Sequence, residues 1–237
     1  MPSYKPLYRQ VKETLLGRIG DGGWAPGQLL PSEPEIAAEL GVSSGTVRKA
    51  LDEMTSQNLL VRRQGRGTFV VRQDEERILF QFFRLVPDSG ERCLPDSRVV
   101  SVESARADEE TAARLGVARG AAVISIERVR SMGGQPCIHE WILVPGALFP
   151  GLERRENLPN NLYALYATEY GLTVARATER LKAALAGQRQ MDLLEAEPGE
   201  PLIAIDRLAL ALDGNAVEWR RSHCRTQFWH YLNDLKK

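Results

Sequence analysis

Apolar residues recur every three or four positions in the first third of the chain, a spacing that predicts helices with one buried face each. The first predicted helix spans Pro6–Ile19 and ends at the glycine-rich run 20–23. The second ends near Leu40. The third buries a stripe of four residues, namely Val47, Ala50, Leu51 and Met54. The pattern therefore predicts a small three-helix unit.

Capping signals mark the starts of the second and third helices. Ser32 and Glu35 form an S-x-x-E capping box, in which each side chain accepts a hydrogen bond from the backbone N–H of the other residue. Ser43 is a suitable N-cap for the third helix, and Val42 before it can pack against Val47 as a hydrophobic staple. Only a short turn separates the two helices, so the segment predicts a helix-turn-helix.

A predicted β-hairpin follows the third helix. Leu60–Arg63 and Thr68–Val71 are short β-rich runs on either side of Gln64-Gly65-Arg66-Gly67. The two glycines permit a tight turn that places Arg66 at its tip. Helix, turn, helix and hairpin together predict a winged helix-turn-helix, a unit whose recognition helix enters the major groove of DNA.

The predicted winged helix-turn-helix, called the head from here on, carries hydrogen-bond donors on the face that DNA would meet. Residues 1–73 hold 10 Lys or Arg against 7 Asp or Glu, a net charge of +3, and the remaining residues hold 21 against 24, a net of −3. Arg48 and Arg66 are the strongest candidates for DNA contact, whereas Lys49, Arg62 and Arg63 suit either phosphate contacts or solvated charge. A winged helix used only for protein contact is the alternative. The predicted DNA-binding set is Ser32, Glu33, Ser43, Ser44, Gly45, Thr46, Arg48, Lys49, Gln64, Gly65, Arg66, Gly67 and Thr68.

Beyond residue 78 the pattern changes to alternation of apolar and polar residues, which predicts strands. We place a charged linker at 74–80, between a first domain at 1–73 and a second domain at 81–237. The predicted strands are Ile78–Val86, Arg98–Ala105, Ala122–Arg130, Gln135–Val144, Leu202–Leu212 and Ala216–Thr226.

Three helical segments interrupt these strands. They are Asp108–Leu115 with Asp108 as N-cap, Leu162–Tyr170 ended by Gly171, and Gln188–Leu194. Thr173–Ala186 is ambiguous, because its first half alternates like a strand while 179–186 could be helical; we favour a strand. The second domain is therefore predicted to be α+β with a largely antiparallel sheet.

The composition argues against several classes of protein. The three cysteines are far apart and the three histidines are scattered, so we expect no disulfide framework, metal site or cofactor. No apolar run approaches the roughly 20 residues of a membrane span, and the N-terminus lacks a secretory signal pattern. We therefore expect a cytoplasmic protein with no membrane partner. The sequence contains neither a nucleophile with a base nor a phosphate-binding glycine loop, so neither of these features indicates an enzyme.

With both halves in view, the chain resembles a GntR-type bacterial transcription regulator of the HutC subfamily. The head matches through LPSEPEIAAELGVSSGTVRKALDEMTSQNLLVRRQGRGTFV, and the second half matches through IERVR, GGQPCIHEWILVP, NNLYALYATEYG and GNAVEWRRSHCR in that order. The resemblance implies a winged helix followed by a UTRA effector-binding domain with a chorismate-lyase-like fold. It also implies a homodimer, a pseudo-palindromic double-stranded DNA operator and a small-molecule effector.

Two departures from the family pattern concern DNA recognition. Pro34 stands where the family often has an Arg that reaches DNA, and Ser44-Gly45 replaces a frequent Arg-bearing pair at the start of the recognition helix. Gly45 has no side chain, which lets that end of the helix approach the duplex closely. We therefore expect an operator that differs from the usual family site.

The expected effector is a small anionic or polar metabolite. Arg128 and Arg130 alternate on a predicted strand and share one face, where two guanidiniums can hold a carboxylate or phosphate. Pairing with an acid such as Glu140 or Glu218 is the alternative. The family resemblance implies further residues around the effector. The predicted effector-binding residues are therefore Arg128, Arg130, Glu140, Asn161, Tyr163, Glu218 and Cys224.

Two positions of this set separate the chain from sugar-phosphate-binding relatives. Asn161 stands where those relatives carry a Ser, and Cys224 stands where they carry a Tyr. Both differences argue against a phosphorylated amino sugar as effector.

Two classes of function remain open at this point. The first is an effector-responsive regulator, acting as a repressor. The second is an enzyme with a DNA-binding appendage, because the implied fold is also that of a lyase; the lack of an acid, base or nucleophile pair argues against it. Regulators with an all-helical, metal-holding tail are disfavoured by the β-rich alternation after residue 78.

Overall fold

The computed structural model describes residues 6–20, 23–25, 27–56, 59–71, 83–90, 95–155 and 157–233. Contacts divide the chain into two compact units, Met1–Gln73 and Asp74–Lys237. The predicted linker at 74–80 lies outside the described residues. In the described part of the chain, no helix is long and apolar enough to cross a membrane.

The first unit contains the predicted three helices and hairpin. Its elements are α1 (Leu7–Gly20), α2 (Glu33–Leu40), α3 (Ser44–Ser56), β1 (Leu60–Arg63) and β2 (Gly67–Val70). The predicted stripe on α3 is buried, with Val47, Ala50 and Met54 each at 0% exposure. These residues pack with Val11 and Leu15 of α1 in one apolar core. The winged helix-turn-helix is therefore confirmed.

Local hydrogen bonds explain why α2 and α3 begin where they do. The Ser32 Oγ accepts from the Glu35 backbone N–H at 3.4 Å, and the Ser32 backbone N–H donates to the Glu35 carboxylate at 2.7 Å. This is the predicted capping box. Gly41 ends α2 in the left-handed conformation at φ 65°. The Thr46 backbone N–H donates to the Ser43 Oγ at 3.2 Å, so Ser43 caps α3.

The hairpin contains one glycine whose backbone conformation favours glycine over other residues. β1 and β2 are antiparallel, with Leu60 opposite Val70 and Arg63 opposite Gly67. Gly67 has φ 102°, and a Cβ there would lie 2.7 Å from the Cδ1 of Leu29. Because Gly67 already pairs with Arg63, β2 begins one residue before the predicted start.

The second unit is built on a six-stranded sheet, which is antiparallel as predicted. The strands of the unit are β3 (Leu85–Pro87), β4 (Asp96–Arg106), β5 (Ala122–Met132), β6 (Gln135–Pro145), β7 (Val174–Leu185), β8 (Pro201–Ala211), β9 (Ala216–Arg225) and β10 (Trp229–Tyr231). The sheet order is β4-β5-β6-β9-β8-β7. The ambiguous segment Thr173–Ala186 is the strand β7, so the interpretation as a strand is confirmed.

The three predicted helices of this unit are also present. They are α4 (Glu109–Leu115), α5 (Leu162–Tyr170) and α6 (Gln188–Leu194). Asp108 caps α4 by accepting from the Thr111 backbone N–H at 2.7 Å, and Gly171 ends α5 at φ 65°. Two short 3₁₀ helices, Gly146–Leu148 and Leu152–Arg154, were not predicted.

The predicted strand Ile78–Val86 is wrong in its extent among the described residues. There the chain is a strand only at Leu85–Pro87, and it pairs with β10, with Trp229 opposite Pro87. The sequence analysis did not predict β10. Three-residue strands carry too few positions for an alternating pattern to be recognised.

Candidate functional site

A pocket opens on one face of the six-stranded sheet, with about 350 Å³ of empty space that includes open solvent at its mouth. Neighbouring strands β5, β6, β9 and β8 supply charged side chains to it, and the segment 160–163 at the start of α5 supplies others. The pocket is lined by Phe83, Arg128, Arg130, Glu140, Asn160, Asn161, Leu162, Tyr163, Arg207 and Arg220.

Strand alternation places the two predicted arginines of β5 together. Arg128 and Arg130 both line the pocket and are 2% exposed, whereas Val129 between them packs in a separate cluster with Leu194. Arg128 lies directly opposite Glu140 of β6 in the sheet register. The prediction that Arg128 and Arg130 share a face is therefore confirmed.

A chain of buried ion pairs crosses the pocket. The Arg128 Nε donates to the Glu140 Oε2, and the Arg220 Nη1 donates to the Glu140 Oε1 at 3.1 Å. Arg220 also binds Glu218 through two bonds, Nε to Oε1 at 2.9 Å and Nη2 to Oε2 at 2.8 Å. Arg128 thus pairs with an acid, which was the alternative considered for it. Its role as an effector ligand stays a prediction.

Electrostatics keep the Glu140 carboxyl ionised despite complete burial. Burial favours its protonated form, but the charges of Arg128, Arg220 and Arg130 outweigh this effect and hold its pKa well below the ordinary value. Glu140 therefore serves as the fixed negative charge among these guanidiniums.

Arg130 is less completely paired than its neighbours. Its Nη2 donates to the Asn160 Oδ1 at 2.8 Å, and its guanidinium lies 4.8 Å from the centre of the Phe83 ring. Its Nε is buried without a hydrogen-bond partner among the described residues. Burial, followed by the charge of Arg128, lowers the pKa of Arg130 to about 9. The negative charge of Glu140 offsets these two effects only in part.

Arg207 gives the pocket a fourth guanidinium. Its Nε donates to the Glu179 Oε1 at 2.6 Å, and the Tyr231 hydroxyl also donates to Glu179. Among the described residues, the four arginines 128, 130, 207 and 220 face the three carboxylates of Glu140, Glu179 and Glu218, so the cluster has a net charge of +1. A buried excess of positive charge is suited to an anionic ligand.

Two further predicted residues lie at the start of α5. The Tyr163 hydroxyl donates to the Glu218 Oε1 at 3.0 Å, and burial, followed by the charge of Glu218, raises the pKa of Tyr163 to about 12. The Asn161 Oδ1 accepts from the Ala164 backbone N–H at 3.2 Å, so Asn161 caps α5 while lining the pocket. Glu218 is 0% exposed and lies behind Tyr163 and Arg220.

Cys224 lies apart from the other predicted effector residues. It is buried in an apolar cluster with Met132, Cys137 and Trp229, and it is not among the residues that line the pocket. Trp229 belongs to β10, the strand that the sequence analysis missed. The replacement of a Tyr by Cys224 therefore gives no geometric support to the prediction about a phosphorylated amino sugar.

Sequence reasoning missed five pocket residues: Phe83, Asn160, Leu162, Arg207 and Arg220. Arg207 had a usable signal, because it is a charged residue between the apolar Ile205 and Ala209 on one face of its strand, whereas Arg220 alternates with the polar Glu218 and Ser222. Phe83 and Asn160 lie outside regular elements and carried no such signal.

Two of the three histidines lie next to carboxylates in different parts of the second unit. His139 lies 2.8 Å from the Glu127 Oε1 through its Nε2, and His230 lies 2.8 Å from the Asp88 Oδ1. No group of three His, Cys, Asp or Glu suited to a metal ion occurs within the described ranges.

In the first unit, the predicted DNA-binding residues of α3 lie on its solvent side. Ser43 and Thr46 hydrogen-bond each other at 2.9 Å, Lys49 lies 4.3 Å from the centre of the Tyr8 ring, and Gly45 is exposed. Arg48 is exposed and donates through its Nε to Glu33 at 2.8 Å.

The hairpin presents the remaining predicted residues. Gln64, Gly65 and Arg66 are exposed at the turn, and Gly65 adopts φ 68°. Thr68 follows on β2 and accepts from the Leu30 backbone N–H through its carbonyl at 2.8 Å. The polar side of α3 and the hairpin tip are thus both open to a ligand, as DNA binding by a winged helix requires.

Comparison with known proteins agrees with both units. The model of the gntR family of bacterial regulatory proteins matches residues 7–70, and that of the UTRA domain matches residues 92–228. The HTH-type transcriptional repressor NagR of Bacillus subtilis is 30% identical over 97% of this chain and 96% of its own length. A histidine utilization repressor of Pseudomonas putida is 32% identical over 85% of this chain and 81% of its own.

One solved structure is similar over most of the chain. The crystal structure of PhnF from Mycobacterium smegmatis superimposes with a TM-score of 0.58 at 28% identity, covering 94% of this chain and 98% of PhnF.

The winged helix and the pocket-bearing sheet define a DNA-binding transcriptional regulator with an effector-binding domain. The chain belongs to the GntR family, in its HutC subfamily, and its second domain is a UTRA domain. Proteins of this class are regulators and not enzymes, so the interpretation as an enzyme with a DNA-binding appendage is wrong. The all-helical tail is excluded by the UTRA sheet.

Proposed function

We propose that this protein is a homodimeric repressor that binds a pseudo-palindromic operator in the cytoplasm and responds to a small anionic metabolite in the UTRA pocket. The charge of the pocket carries this proposal. Four guanidiniums face three carboxylates among the described residues, and the Nε of Arg130 lacks a partner there. The named repressors NagR and the histidine utilization repressor support repression as the mode of action.

An anion would satisfy Arg130 in two ways. It would bring a negative charge to Arg130, whose pKa burial and the charge of Arg128 lower to about 9, and it would accept a hydrogen bond from the Nε. Phe83 covers the face of the guanidinium, which leaves the edge for a ligand. We therefore assign the principal effector contact to Arg130.

We assign Arg128, Glu140 and Arg220 to the frame of the pocket. Arg128 is engaged by Glu140 and by the Asn160 carbonyl, to which its Nη1 donates at 3.1 Å. Arg220 is held by both Glu140 and Glu218. A frame fixed in this way holds the ligand contacts ready before the ligand arrives, which reduces the entropy lost on binding.

Regulation then follows from thermodynamic linkage between the binding of the operator and the binding of the effector. Two heads of a dimer read half-sites at a fixed spacing. An effector that favours a state with a different spacing weakens operator binding, by no more than its own difference in affinity for the two states. The operator must weaken effector binding by the same factor.

Thermal denaturation with a metabolite panel tests the assignment. We would screen the full-length protein against sugar phosphates, amino-acid derivatives and dicarboxylates. At a concentration of about 100 Kd an effector stabilises its protein by about 2.7 kcal/mol. We expect an anionic compound to raise the melting temperature, Arg130→Met to abolish the shift, and Arg98→Met, at an exposed position of β4, to retain it.

The decisive contrary result is a full ligand-induced shift in Arg130→Met. A neutral ligand that acts equally on wild type and Arg130→Met would likewise contradict an anion site at this residue.

A further inference from the structure

Glu33, at the first position of α2, joins three elements of the DNA-binding head. Its Oε2 accepts from the Arg48 Nε of α3 at 2.8 Å, and its Oε1 accepts from the Arg62 Nη2 of β1 at 3.1 Å. Arg62 also pairs with Asp52 of α3 at 2.7 Å. The Glu33 side chain is only 22% exposed, whereas the Arg48 side chain is 63% exposed.

A direct contact between Glu33 and the DNA backbone is electrostatically unfavourable. A carboxylate only accepts hydrogen bonds, and a phosphate likewise offers only acceptors and a negative charge. Both Glu33 oxygens are already occupied by guanidiniums. The residue must therefore act through the side chains that it holds.

We propose that Glu33 is a positioning residue for base recognition, which holds Arg48 by its Nε and thereby directs the outer edge of the guanidinium away from the head. This inference rests on the proposed assignment of Arg48 to DNA. Bidentate recognition of a guanine edge needs two donors of one arginine. With the Nε bound to Glu33, the two Nη groups remain on the exposed side chain for that purpose.

Holding Arg48 in advance improves sequence discrimination more than general affinity. A long side chain that is already restrained loses less rotational freedom when it meets a base edge. Contacts with phosphate do not need this precision, because they depend mainly on charge. Removing Glu33 also removes one negative charge near the duplex, so non-specific binding, which depends mainly on charge, should not weaken.

The test measures discrimination between two duplexes. Selection from a random duplex pool with the full-length protein yields a preferred sequence, and fluorescence anisotropy then gives the affinities for that duplex and for a shuffled one. We expect Glu33→Ala to lower the ratio of the two affinities about three- to tenfold. Its affinity for the shuffled duplex should be equal or higher.

Glu39→Ala is the matched control. Glu39 lies on the same helix and pairs with Arg18 at 2.9 Å, so its removal takes away the same charge without touching Arg48 or Arg62. We expect its discrimination ratio to equal that of wild type. Glu33→Gln, which keeps the length of the side chain, repeats the test if Glu33→Ala melts at a lower temperature than Glu39→Ala.

A double-mutant cycle identifies the route. If Glu33 acts through Arg48, Glu33→Ala causes no further loss of discrimination in an Arg48→Ala background. An equal loss in both backgrounds, or unchanged discrimination in Glu33→Ala and Glu33→Gln, overturns the positioning role while leaving Arg48 as a DNA contact. An unchanged ratio in Arg48→Ala alone would overturn the assignment of Arg48 and this inference together.

Discussion

Arginine side chains dominate both candidate sites, but under opposite physical conditions. In the head, the Arg48 and Arg62 side chains are 63% and 42% exposed. In the UTRA domain, Arg128 and Arg130 are each 2% exposed. Water and salt screen the first pair and hardly reach the second. The same residue type therefore suits a salt-dependent contact with a polyanion in one unit and a fixed receptor for one small anion in the other.

The acidic partners of these arginines also differ in burial. The pair between Arg48 and Glu33 lies at the surface, where such pairs contribute about 0–1 kcal/mol to stability. Glu140 is buried between Arg128 and Arg220, so losing one partner leaves a buried charge uncompensated. The stability of the folded domain therefore depends on these pocket charges.

Glu140→Gln should have the largest effect on stability of the variants considered. The variant keeps the shape of the side chain but removes the negative charge between Arg128 and Arg220, and we expect it to lower the free energy of unfolding by about 3–5 kcal/mol. Urea denaturation followed by tryptophan fluorescence checks this, since three of the four tryptophans lie in the second unit. Glu103→Gln, at an exposed position of β4, is the matched control. Equal stability of the two variants would contradict the prediction.

The same variant predicts a pH dependence. The folded pKa of Glu140 lies well below its ordinary value of about 4.5, so its stabilisation is complete above that value and is lost as pH falls towards the folded pKa. The stability difference between wild type and Glu140→Gln should therefore stay constant near neutral pH and shrink below about pH 4.5. A difference that persists at the acidic end would show that charge is not its cause.

Arg128→Ala and Arg130→Met should separate the two roles within the pocket. Arg128 compensates Glu140, so we expect Arg128→Ala to destabilise the domain by about 3 kcal/mol. Arg130 has a buried Nε without a partner among the described residues, and its ionised form is disfavoured, so Arg130→Met should leave the stability equal to wild type or higher. Urea denaturation of both variants without ligand measures the contrast. A larger loss in Arg130→Met than in Arg128→Ala would reverse the assignment.

The elements of both units could be predicted from the sequence because each is long enough to show its period. The stripe on α3 and the alternation on β5 each repeat over several residues, and Ser32 and Gly171 mark helix ends by their own chemistry. The pair Leu85–Pro87 and Trp229–Tyr231 joins residues far apart in the chain, and three positions carry no period. Their pairing depends on tertiary packing that no local pattern encodes.

The candidate pocket was predictable only along single strands. Arg128 and Arg130 were found because neighbours on one strand alternate between two faces. Arg220 was missed because its proximity to Glu140 depends on β9 lying between β6 and β8, a sheet order that the sequence does not display. Cys224 points to the same face as Arg220, but β10 covers that end of the sheet, so Cys224 lies in the core.

Arg66→Ala should produce the smallest effect and test the exposed side of the comparison. Arg66 lies at the hairpin tip, where it suits one phosphate contact, so its loss should weaken binding to all duplexes alike. The slope of log affinity against log salt should become shallower by about 1, because one phosphate fewer is neutralised. Arg130→Met is the control, since a buried pocket arginine should not alter this slope. Anisotropy titrations over a range of salt concentrations decide the matter. An unchanged slope in Arg66→Ala would remove the hairpin tip from the DNA interface, and a slope altered equally by both variants would mean that burial does not separate the two sets of arginines.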